Sequence, residues 1–236
     1  MDSLTFSACY AFPPNSHGYC GASSFSKILT GCLAGRNSSI LEKELRKFRV
    51  QYAYLSLIAR ENNLKPFNRK VVHAFWIGNS LLENVSHKSM KDFLVSELFP
   101  KNSIKGKNLA QNLPEGLNPH HSFNALYVHF VTDKVKKSIQ NFDSCCITSG
   151  KILSLSDKSA KVDRFSISWK NGFLLKNKIC KIDLVRNGVW LIKPRIGDRI
   201  AIHWGMAVDK LTEKDEKLLI KYTQKNMDAL NNMFKK

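Results

Sequence analysis

No run of apolar residues approaches the ~20 that a membrane-spanning helix needs, although 43% of the chain is apolar. The opening stretch, Met1 to Ser7, carries neither a basic flank nor the longer apolar segment of a secretory signal, so a cytoplasmic location and no membrane association are expected. The six cysteines, at positions 9, 20, 32, 145, 146 and 180, include no Cys-x-x-Cys pair. The usual mark of a zinc site is thereby missing, and in a reducing compartment the thiols are expected as ligands, nucleophiles or small core residues and not as a disulfide framework. Gly-x-Gly-x-x-Gly, a phosphate loop and His-Glu-x-x-His are missing too, which leaves nucleotide-driven and zinc-protease chemistry without residues to rest on.

Acidic residues are scarce. Asp and Glu number 19 against 37 Lys and Arg, a net charge of +18. Such a field attracts nucleic acid or acidic proteins. Most of the excess, however, is lysine spread along every segment, whereas recognition surfaces cluster arginine with aromatics. A basic nucleic-acid-binding adaptor is therefore one alternative reading.

What is present divides the 236 residues into a mainly helical part, 1–140, and a strand-rich part, 144–236, an α+β arrangement. Residues 1–36 mix Pro13-Pro14, Gly18 and Gly21 with aromatics and read as an ordered irregular loop. From Ser39, whose Ser-x-x-Glu spacing to Glu42 is that of a capping box, Leu41, Leu45, Phe48, Tyr52, Leu55 and Ala59 recur at helical intervals and predict one helix to Glu61. Shorter helices are expected around Lys70 to Leu82 and Ser89 to Phe99, and a long connection over 101–118. Alternation near 122–132 predicts a buried strand.

Beyond residue 144 the period is two. Strands are expected over Ile147 to Leu155, Ala160 to Trp169, Phe173 to Leu184 and Arg199 to Trp204, with Asn171-Gly172 as a hairpin turn. So many short strands in one stretch suggest a small closed barrel. Thr212, followed by Glu213 and Asp215, opens a terminal helix whose stripe is Leu218, Leu219, Tyr222, Met227, Leu230 and Phe234.

Two stretches of this part carry a pattern. Cys145 is followed by Gly150, Lys151 and a strand, and Gly197-Asp198 by an apolar strand, His203, Trp204 and Gly205. With the capped terminal helix, residues 145–234 resemble the HypC/HupF family of hydrogenase-maturation chaperones, with Ser149 where that family has proline and Met206 where it has phenylalanine. Cys145 is internal, whereas the family cysteine lies at the start of the chain. The resemblance implies an OB-like barrel with a C-terminal helix. It also implies Cys145 and His203 as ligands of an iron centre carrying cyanide and carbon monoxide. The implied partners are a HypD-like maturation protein and the precursor of a hydrogenase large subunit. A thiolate and an imidazole suit iron. Gly150 and Gly205 would provide turns or close backbone approach beside the cofactor, and Trp204 would shield it.

Residues 1–140 resemble no family of known activity. Within them His17 and Cys20 offer an alternative, a thiol-dependent enzyme in which an imidazole, from His17 or from the distant His120 and His121, lowers the thiol pKa.

Overall fold

The computed structural model describes residues 1–33, 38–128 and 135–234. The architecture is α+β, with helices first, then a five-stranded barrel and a long terminal helix. No helix among the described residues is long and apolar enough to cross a membrane.

The chain begins with a helix, not the irregular loop expected. α1 spans Ser3–Ser16 and is capped by the Asp2 carboxylate, which accepts from the Leu4 and Thr5 amides. Every residue from Phe6 to Asn15 is buried, Pro13 and Pro14 included. A helix buried on all sides shows no polar face, so it leaves no periodic signal to read. α2, Phe25–Leu33, follows on this side of the molecule.

The single helix expected over 39–61 is two. α3 covers Ser38–Arg46 and α4 covers Arg49–Arg60, with Phe48 between them in a non-helical conformation. The break turns the Phe48 ring edge-on to Phe25, centroids 4.6 Å apart, so a tertiary contact overrides a continuous helical period. The helix also starts one residue ahead of Ser39, which removes that residue from the capping position.

α5, Arg69–Trp76, starts where expected but ends six residues before Leu82, and a separate short turn of 3-10 helix covers Ser80–Asn84; α6, His87–Phe93, comes where expected and runs into a wider turn over Leu94–Leu98 before Pro100. The connection over 101–118 contains a helix of its own, α7, Ile104–Gln111, capped by Ser103.

The strand expected near 122–132 is not formed over its described part. Residues His121–Phe123 make a helical turn, α8, which widens over Asn124–Val128; the rest of the expected strand lies outside the described residues. The cause lies in Asn226, buried on the terminal helix. Its carboxamide accepts from the Asn118 amide at 2.9 Å and donates to the Asn118 carbonyl and the Ser122 hydroxyl, which coils this segment against the helix instead of extending it. α9, Ile139–Cys145, then leads into the barrel.

The barrel strands are β1 Thr148–Leu155, β2 Ser159–Trp169, β3 Phe173–Asp183, β6 Arg199–His203 and β7 Met206–Lys210, in the closed order β1-β2-β3-β7-β6. Between β3 and β6 lies a small separate hairpin, β4 Val185–Arg186 and β5 Val189–Trp190. Its turn, Asn187-Gly188, has positive φ at both residues, the tight Asn-Gly turn that Asn171-Gly172 was expected to make. At Asn171 the loop is one residue longer, because Trp169 pairs with Phe173. Closure of the barrel rests on one parallel bridge, Asp183 to Met206, and the Asp183 amide bonded to the Gly205 carbonyl at 2.8 Å.

α10, Glu213–Asn231, starts at Thr212 with the reciprocal bonds to Asp215 that make a capping box, and packs on β1, β3 and α8. Two cores result. A small one inside the barrel is aliphatic, built from Ile152, Val162, Ile182, Leu184, Ile200 and Ile202 with two alanines. The large one runs without interruption from α1 through the helices to Trp204, Met206, Val208 and α10.

Candidate metal centre

The antiparallel pairing of β1 with β6 sets Thr148 opposite Ile202. One step beyond the ladder, the Trp204 amide bonds to the Ser144 carbonyl at 2.8 Å, so Cys145, at the end of α9, is drawn beside His203, at the end of β6. A carboxylate fixes α9 in this position: Asp143 accepts from the Ile167 amide at 2.7 Å and pairs with the buried Arg164. The two residues expected to act together are therefore neighbours.

A third donor joins them. One ligand atom each of His121, Cys145 and His203 lies within 4.8 Å of the other two, and all three residues are buried. A tetrahedral ion with nitrogen at ~2.0 Å and sulfur at ~2.3 Å needs donors roughly 3.5 Å apart, so the group would have to draw in by about 1 Å to hold one. His121 stands at the start of α8, held there by the Asn226 contacts. Its sequence signal was weak, because nothing in the spacing of residues 121, 145 and 203 connects them.

The His203 ring is oriented by a proline. In α1 the carbonyl of Tyr10 would bond the amide of residue 14, but Pro14 has no N–H. His203 takes the vacant acceptor: its Nδ1 donates to the Tyr10 oxygen at 2.7 Å. The proton is thereby fixed on Nδ1, and Nε2, buried and without a hydrogen-bond partner, is left as a lone-pair donor. The His121 Nδ1 is likewise buried and unpartnered. Orphaned buried nitrogens are costly, and two of them beside one thiol are what a metal would satisfy.

All the groups are neutral. Burial, with the neighbouring His203 and His120 adding to it, holds His121 well below the usual imidazole range. Burial lowers His203 to about 3 against the opposing hydrogen bond that its ring donates to the Tyr10 carbonyl. Burial raises the Cys145 thiol far above its usual value, and a charge on Cys20 would raise it further. Metal binding must therefore release the thiol proton.

The cluster faces a cavity of about 240 Å³ whose walls include Phe75, Trp76 and Trp204. Trp76 lies 4.7 Å from the His121 ring and 5.8 Å from that of His203. Trp204 is thus part of the wall. Gly205 is not: with Trp204 it forms the β6–β7 turn, both at positive φ. Gly150 sits in the barrel wall, where an added Cβ would come within 2.9 Å of Arg164, away from the cavity.

The chain matches, over residues 3–236, a family of unknown function, DUF6390. It belongs to that family. The match runs through the helical part and the barrel together, so the DUF6390 unit contains every residue of the cluster. No curated protein and no solved structure matches the DUF6390 chain.

Cys20 lines the same cavity, whereas His17 does not serve it. The His17 Nε2 accepts from Arg186 at 2.9 Å, and its ring stacks on Tyr19 and leans on Trp204. Burial and the Arg186 charge lower its pKa. His120 caps α8 through Nδ1, which accepts from the Ser122 amide, and does not line the cavity. Of the residues expected for a thiol-dependent enzyme, His17 and His120 do not line the cavity that Cys20 lines, whereas His121 lines it together with Cys20.

Proposed function

We propose that this protein is a metal carrier or scaffold of the hydrogenase-maturation type. It holds a transition-metal cargo, iron in the reading that the resemblance suggests, through Cys145 and His203 with His121 as a third donor. The cargo then passes to a partner, such as a HypD-like maturation protein or a hydrogenase large-subunit precursor. The observation that carries the reading is the set of three donor atoms within 4.8 Å of one another, two of them imidazoles with orphaned buried nitrogens. One soft anionic ligand with two neutral nitrogens suits a divalent first-row ion. Three protein ligands leave a coordination position for the cargo's own ligands or for a donor from the partner, as transfer requires.

The test is anaerobic titration with ferrous ion, followed by metal analysis after desalting. The wild-type protein is expected to retain one equivalent, and Cys145→Ser and His203→Gln to retain little with an unchanged fold by circular dichroism. Equal metal content in all three proteins would overturn the reading.

A further inference from the structure

The cluster is buried, and an ion must cross from water to reach it. Among the described lining residues outside the cluster, Cys20 supplies the one soft donor. It lies in the turn after α1 and is only half-buried. Its rim neighbours include Lys47 and Arg49, which offer a cation nothing.

The turn that carries Cys20 is held in place. The Asn15 amide donates to the carbonyls of Cys20 and Ala22 at 2.7 and 2.9 Å. Gly21 has φ +73°, and a Cβ there would meet the Phe48 ring at 2.2 Å, so the backbone passes tightly over the ring that ends α3. Tyr19, next to Cys20, packs on Trp204 at 4.7 Å. The cavity is therefore lined by the half-buried Cys20 and by the buried Cys145, His121 and His203, with one unpartnered nitrogen on each imidazole.

We propose that Cys20 is a relay ligand: it takes the metal at the rim and passes it to Cys145, and returns it by the reverse step. The inference rests on the metal-carrier reading of the same site. In the inward step the Cys20 sulfur–metal bond breaks as the Cys145 sulfur–metal bond forms, and the Cys145 thiol proton moves to the Cys20 sulfur. No electron changes hands and no net charge is created. The exchange avoids a bare thiolate in an apolar cavity, which burial would penalise heavily. His121 and His203 complete the inner site once the ion arrives.

Cobalt(II) in anaerobic stopped-flow is the probe, because thiolate-to-cobalt charge transfer in the near ultraviolet reports each sulfur–metal bond. Wild type and Cys20→Ser are expected to reach the same final absorbance, the variant about tenfold more slowly. Removal of the ion by a chelator should slow by the same factor. Cys20→Ala, which also lacks the donor, should repeat the result, and Cys180→Ser, on β3, should load at the wild-type rate. Wild-type loading in both Cys20 variants would overturn the relay and leave the buried site standing. A lower final absorbance at an unchanged rate would make Cys20 a permanent ligand and overturn it equally. If the wild-type protein itself shows no charge-transfer band, the buried site falls and the relay with it.

Discussion

The inside of the barrel and the seam between the barrel and the helices are both buried, yet they are built from different materials. Inside, the small core is aliphatic, with the partly buried Cys180 at its margin. At the seam, two imidazoles, two thiols and two tryptophans surround a cavity. The barrel is thus the frame, and the chemistry sits where its β6–β7 end meets α1, α5 and α8. A consequence is that no single segment owns the site: Tyr10, His121, Cys145 and His203 come from four elements. Substitutions at the seam should disturb binding and stability together, and those inside the barrel stability alone.

The sharpest break of that contrast is His121→Ala, which removes a donor supplied by the helical part. Loss of one of three ligands should weaken cobalt affinity by about two orders of magnitude or more, measured by competition with a chromophoric chelator. Retention of wild-type affinity would return the site to Cys145 and His203 alone. Next comes Asn226→Ala, in α10, far from any ligand in sequence. It orphans the buried Asn118 amide and carbonyl, at a cost of about 2–4 kcal/mol in urea unfolding, and should also lower metal affinity by loosening His121.

Acid should act at the seam. Burial holds His120 and His203 at about 3 and His121 well below its usual value, so each takes up a proton on unfolding below about pH 6.5. The stability they contribute is complete above that value and is lost as pH falls toward 3. Asp209, raised to about 6 mainly by burial, works in the opposite sense, binding its proton more tightly when folded and losing stability as pH rises from about 4 to 6. Three histidines outweigh one carboxylate, so the urea midpoint of the metal-free protein should be lower at pH 5 than at pH 7. Asp209→Asn should steepen that fall; an unchanged slope would mean that the carboxylate is paired more strongly than its burial suggests. The smallest effect belongs to the barrel interior. Ile200→Val should cost about 1 kcal/mol and leave cobalt affinity where it was.

The barrel was legible because its strands alternate cleanly and its turns are marked by Gly, Pro and Asn, and its four long strands end within a residue or two of where the pattern places them. β4 and β5 have two residues each, too few to show a period, and β7, as long as β6, opens with three consecutive buried residues, Met206 to Val208, which do not alternate. The helical part hid its organisation wherever burial was complete. α1 has no polar face, Phe48 interrupts a period that continues through it, and residues 121–128 are apolar on both faces, which suits a strand as well as a coil held by Asn226. The Cys145 and His203 pair could be read from a pattern, whereas His121 and Cys20 join it only through packing between elements remote in sequence, which no local spacing records.

The bond between His203 and the Tyr10 carbonyl spans 193 positions. Contacts of such separation form late, because closing a long loop costs entropy before it returns any energy. On the metal-carrier reading, the His203 nitrogen proposed to bind the ion acquires its orientation only when these remote parts of the chain have met, so loading would belong to the finished fold and not to a folding intermediate. When the protein is refolded with cobalt(II) present, the mature charge-transfer band should appear after the tertiary fluorescence signal has recovered and never ahead of it.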